Sequence, residues 1–179
     1  DRHECHLYRS IMILDIDKIN TKAPYSVTST QDPNWVRFKT DYGVLYLAGF
    51  DKDSTSMPET ETYQFTILNG NHKKSPQDAK VRETIIAIIE NFFIENNEVM
   101  LYICETGDSK QSMRSRLFEY WFHHYNRGWN VVYLSATIKD EFGIPNYAAI
   151  IIREDHPRLK EVIREFSDTV TLLNDKPQQ

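Results

Sequence analysis

SPQDAKVRETIIAIIENFFIENNEVMLYIC, the stretch from Ser75 to Cys104, decides the fold because its hydrophobic period changes once inside it. Ser75-Pro76-Gln77-Asp78 reads as a helix start. Ser75 is placed to cap free N–H groups, Pro76 suits the first helical position, and Asp78 suits the positive end of the helix dipole. Val81, Ile85, Ile88, Ile89 and Phe92 then recur at helical spacing, and Asn96-Asn97 stops the run after Glu95. Val99–Cys104 follows as an unbroken apolar run of strand length, the pattern of a strand covered on both faces. A helix feeding a buried strand points to a sheet with helices packed on it.

On the N-terminal side the period is two. Tyr25–Thr30 alternates weakly and stops at the turn composition Gln31-Asp32-Pro33-Asn34. Trp35–Thr40 and Val44–Phe50 alternate around Asp41-Tyr42-Gly43, which reads as a tight hairpin. Asp51–Glu61 is a polar loop and Thr62–Leu68 another strand. On the C-terminal side a second helix is expected from Ser109 to Arg127, with Gly128 placed beyond its end. Trp129–Ile138 and Tyr147–Ile152 are strands around the turn Asp140-Glu141-Phe142-Gly143. Pro157 opens a third helix whose Leu159, Val162, Ile163, Phe166, Val170 and Leu173 form one stripe. The order expected is ββββ-α-β-α-ββ-α, an α+β fold with a twisted, mostly antiparallel sheet. Residues 1–24 are read as an N-terminal extension, with Ile11–Leu14 as a strand candidate. Residues 25–174 are read as a single domain and 175–179 as a polar tail.

Composition bounds the function. The chain has 179 residues, 40% hydrophobic and 26% charged, with 6 Gly and 7 Pro, which excludes collagen and wholesale disorder. A net charge of −5 argues against duplex nucleic acid as a partner. No apolar run approaches the roughly 18 residues that span a bilayer, so no membrane contact is expected. Only two cysteines, Cys5 and Cys104, occur, and a cytoplasmic, reducing setting is the expectation.

Several stretches together resemble a bacterial family known only as a domain of unknown function. They are Phe38–Gly43, Asp78–Ile85 and Leu101–Cys104, followed by Asp108, Lys110, Arg114, Phe118 and Trp121. That resemblance runs from Tyr25 to Asn174 and implies no catalytic residue. The order of elements is also similar to that of the acetyl-coenzyme A-dependent N-acetyltransferase fold. In that fold a loop between a strand and a helix offers N–H groups to the cofactor pyrophosphate. The corresponding loop here is Asn69-Gly70-Asn71-His72-Lys73-Lys74-Ser75, with one glycine and two lysines.

Two groups of bases suggest an anion site. Lys110 and Arg114 lie four apart at the start of the second helix, on a stripe with Trp121. Cations there oppose the dipole unless an anion joins them. The competing reading pairs Arg114 with Glu105 or Asp108 and lays its stem on Trp121. Lys73 and Lys74 precede the capped helix; the competing reading is a solvated turn. His3, Cys5 and His6 are metal-ligand types without a zinc spacing, Cys104 reads as a packed thiol, and Asp15/Asp17 make half a magnesium site at most. No cofactor, metal or catalytic residue is therefore expected. The leading expectation is a module that binds an unidentified protein partner and regulates it. The alternative is an enzyme or sensor of a phosphate-bearing small molecule, held as an anion by Lys110, Arg114, Lys73 and Lys74.

Overall fold

A computed structural model describes residues 12–104, 119, 123 and 130–175. The described elements are α1 (Ile16–Lys22), β1 (Thr28–Ser29), β2 (Trp35–Lys39), β3 (Leu45–Asp53), β4 (Thr62–Asn69), α2 (Ala79–Glu95), β5 (Val99–Cys104), β6 (Val131–Lys139), β7 (Pro145–Arg153) and α3 (Leu159–Asn174). The strands form a mostly antiparallel, open seven-stranded sheet in the order β1-β2-β3-β4-β5-β7-β6. The fold is mixed α+β. The second helix expected over 109–127 lies outside the described residues, apart from Glu119 and His123, both helical. Among the described residues no helix is long and apolar enough to cross a membrane.

The chain divides into two compact units. The first comprises residues Asp1–Ala48 and Leu68–Asn96, the second Gly49–Ile67 and Asn97–Gln179. In the first unit Met12, Ile13 and Leu14, the described part of the strand expected at Ile11–Leu14, are not in a strand. Asp15 instead caps α1, its carboxylate accepting the Lys18 N–H at 3.1 Å. The preceding backbone is held by two asparagines of the α2 end. Asn96 exchanges two hydrogen bonds with the Ile13 backbone, at 2.9 and 2.7 Å, and Asn91 accepts the Asp15 N–H at 2.9 Å. Buried amides substitute for a strand partner, and Met12 and Ile19 complete the packing.

Helix α2 begins later than its sequence suggests. Asp78, not Ser75, is the N-cap, accepting the Lys80 N–H at 3.0 Å. Ser75 is drawn away by the Tyr46 hydroxyl, which donates to it at 2.5 Å. The stripe Ile85, Ile88, Ile89 and Phe92 is buried as its period requires.

In the second unit β5 runs parallel to β4 and antiparallel to β7. Flanked on both edges, it is nearly all apolar: Val99, Met100 and Leu101 are buried. Helix α3 sends Val162 and Phe166 into a core with Met57, Val99, Leu101, Ile150 and Ile152. Glu165 of α3 accepts the Glu59 N–H at 3.2 Å and the Thr60 hydroxyl at 2.9 Å. The helix is thereby tied to the loop between β3 and β4.

A candidate ligand face in the second unit

Register places a set of hydroxyls on one face of the second unit's sheet. Tyr102 of β5 pairs with Ala149 of β7, which pairs with Ser135 of β6. Cys104 pairs with Tyr147, and Tyr147 with Thr137; Met100 pairs with Ile151, and Ile151 with Tyr133. Directly opposed residues share a face. Tyr102, Tyr133, Tyr147, Ser135, Thr137 and Cys104 therefore point to one side. The alternate residues, Leu101, Ile150 and Ile152 among them, point to the core under α3.

Side-chain contacts knit this face together. The Tyr133 and Tyr147 hydroxyls are hydrogen-bonded to each other. The Ser135 hydroxyl donates to the Glu119 carboxylate at 3.4 Å. The His123 ring meets the Tyr133 ring edge-on, with centroids 6.0 Å apart. Burial pushes the Tyr133 phenol well above the ordinary tyrosine range, and the nearby Glu119 carboxylate and Tyr102 reinforce the shift. Tyr133 thus keeps its proton throughout the neutral range and remains a donor. A protonated phenol can donate a hydrogen bond to a carbonyl or accept one from an amine.

The face adjoins the end of the β4–β5 register. The parallel register of β4 and β5 runs from Thr62–Val99 to Phe65–Tyr102. Thr66 and Ile67 on β4 and Ile103 on β5 lie beyond it. Tyr102 is therefore both the last residue of that register and a member of the hydroxyl face.

Residues 77–168 match the family described as a family of unknown function (DUF6169). The chain belongs to this family. The match covers just over half of the chain and contains Tyr102, Glu119, His123, Tyr133, Ser135 and Tyr147. Lys73, Lys74 and the Phe38–Gly43 stretch fall before it. No curated protein matches the sequence.

The bases singled out in the sequence divide between two regions. Lys110 and Arg114 lie within the DUF6169 match but outside the described residues, as do His3, Cys5 and His6. Lys73 and Lys74 are both exposed, on a loop of the first unit. That loop is built by Asn71, which accepts the Leu45 N–H at 3.2 Å and donates to the Gly43 carbonyl at 2.9 Å. Lys73 lays its ammonium over Gly43. At the N-terminus of α2 the N–H of Lys80 already has an anion, the carboxylate of Asp78. Among the described residues, three or more His, Cys, Asp or Glu nowhere gather as a metal site. Asp15 and Asp17 sit at the start of α1, the first as its cap.

Sequence reading missed the hydroxyl face. Alternation within Val99–Cys104 and Trp129–Ile138 was the available signal. It says that Tyr102 and Cys104 share a side, and Tyr133 and Ser135 another. Only register shows that those two sides are the same.

Proposed function

We propose that the second unit binds a small molecule with an extended, amide-containing arm and an acyl or amine end. The arm lies beyond the Phe65–Tyr102 register, where strand backbone can pair with amides. The end group meets Tyr102, Tyr133 and Tyr147. The observation that carries this reading is the junction at Tyr102, where the parallel pair and the hydroxyl face meet. Ligands of sheets with parallel strands favour the carboxyl ends of those strands, where chain direction and connection combine to leave a crevice. The element order, similar to that of the acetyl-coenzyme A-dependent fold, supports an acyl-coenzyme A as the first probe. The fit is to the arm. A pyrophosphate at the N-terminus of α2 would meet the Asp78 carboxylate, so no residue of that loop is given a phosphate-binding role.

The test is thermal denaturation and calorimetry with acetyl-coenzyme A, pantetheine and ATP. Acetyl-coenzyme A and pantetheine raise the Tm, and ATP, lacking the arm, does not. Tyr147→Phe weakens binding by about fivefold, the worth of about 1 kcal/mol for one hydrogen bond. No stabilisation by either arm-bearing compound, or stabilisation indifferent to Tyr147→Phe and Tyr133→Phe alike, overturns the reading.

A further inference from the structure

The β6–β7 turn displays an aromatic side chain that its own unit leaves largely uncovered. Phe142 is 83% exposed at the apex of Asp140-Glu141-Phe142-Gly143-Ile144, and Ile144 is 43% exposed. The display is rigid. The Asp140 N–H donates to the Ile144 carbonyl at 2.9 Å and the Gly143 N–H to the Asp140 carbonyl at 3.0 Å. The Asp140 carboxylate also accepts the Phe142 and Ile144 N–H groups, both at 2.9 Å. Gly143 takes the positive φ, 74°, that closes the turn.

The end of α3 reaches the same end of the hairpin. Asn174 accepts the Lys139 N–H at 3.0 Å and donates to the Thr137 carbonyl at 3.0 Å. Leu172, two residues earlier, is 65% exposed. Scattered apolar side chains are ordinary on a surface, but a phenylalanine fixed at a rigid apex is set up for a pocket. Within the same turn stand Asp140 and Glu141, next to Lys139, an acidic rim.

We propose that this tip docks into a partner protein, with Phe142 filling an apolar pocket whose rim carries Lys or Arg facing Glu141. The acidic rim selects that chemistry. It also disfavours an anionic bilayer, whose surface potential repels carboxylates. A second copy of this chain fits less well, because a tip in a neighbour's pocket is a head-to-tail contact that need not close.

A photoreactive benzoylphenylalanine at position 142 of the full chain, irradiated in the cells that make the protein, gives the first readout. The expected adduct lies on another protein, at an apolar surface flanked by Lys or Arg. With that protein purified, Phe142→Ala weakens binding by about 30-fold, as for a central aromatic anchor. Glu141→Lys also weakens it and flattens its salt dependence. Tyr42→Ala leaves it unchanged, and Phe142→Ala keeps the wild-type Tm, so folding is not the cause. Four results would overturn the proposal. They are no adduct, an adduct only on this same chain, unchanged affinity of Phe142→Ala, and Phe142-dependent sedimentation with phosphatidylglycerol vesicles.

Discussion

The turn Thr40-Asp41-Tyr42-Gly43-Val44 of the first unit and the turn Asp140-Glu141-Phe142-Gly143-Ile144 of the second are built alike. In each, the first residue's N–H donates to the last residue's carbonyl, at 2.9 Å in both. The glycines have φ of 76° and 74°. The first residue's side chain accepts the N–H groups of the third and fifth, from Thr40 at 3.2 Å and from Asp140 at 2.9 Å. What differs is the surroundings. The first turn is tied to its unit at its two ends: Tyr25 accepts the Asp41 N–H at 3.3 Å, Lys80 pairs with Asp41 at 3.0 Å, and Val44 is fully buried, while Tyr42 at the apex is 60% exposed. At the second, Phe142 and Ile144 face water. One backbone solution thus stands in two settings: both apex aromatics are exposed, but the first turn anchors its last residue, Val44, in a core and the second leaves Ile144 at the surface. The sequence frame, acid-aromatic-glycine, is the same in both and does not tell them apart.

The anchoring of the first turn should fail with alkali. The Tyr25 phenol is pushed up to about 12, chiefly by burial and then by its hydrogen bond to Asp78. A phenol whose pKa folding raises holds its proton better in the native state than in the unfolded chain. The stabilisation is whole below pH 10 and is lost as pH climbs towards about 12. A shift of this size corresponds to about 2–3 kcal/mol. In urea denaturation at a series of pH values, the advantage of wild type over Tyr25→Phe should shrink across that window. A constant advantage would separate Tyr25 from the turn it supports.

Removing the side-chain acceptor of each turn gives a smaller and unequal effect. Thr40 is buried, so Thr40→Val leaves the Tyr42 and Val44 N–H groups short of an acceptor where water is scarce. The cost should be about 2 kcal/mol. Asp140 stands at a wetter turn, where water can replace its carboxylate, and Asp140→Ala should cost less than about 1 kcal/mol. Equal losses by denaturant titration would mean that the two turns are anchored alike.

Local pattern made much of the fold legible. The period-two strands, the buried run Val99–Cys104 and the stripe of α3 all follow from side-chain periodicity, which burial then obeys. Misreadings came where a distant side chain intervened. Ile11–Leu14 looks like a strand until Asn91 and Asn96, some eighty residues away, supply its hydrogen bonds. Ser75 looks like a cap until Tyr46 claims its hydroxyl. The tyrosine face was illegible for a related reason: it is a property of register between three strands, and no one strand carries it. Lys73 and Lys74 were legible as exposed bases and Asp78 as an acid at the start of the helix they precede, but not that Asp78 itself is the cap.

The smallest effect concerns the charges beside the two aromatics. Lys80 joins Asp41 in an ion pair and sits 5.6 Å from the Tyr25 ring centroid. Both partners of the pair are more than half exposed, so solvent screens it. Asp41→Asn should cost about 0.5 kcal/mol at low salt, fading by about 1 M salt, where the screening length is roughly 3 Å. Glu141→Gln, beside the second aromatic, should leave stability unchanged at either salt, as the docking proposal requires of a carboxylate that faces a partner outside the chain. The two substitutions remove the same charge from the same position of the same turn. If both were silent, the ion pair at the first turn would count for nothing. If both destabilised the chain and salt erased both losses, the second turn would have an internal partner, and its acidic rim would no longer mark a docking surface.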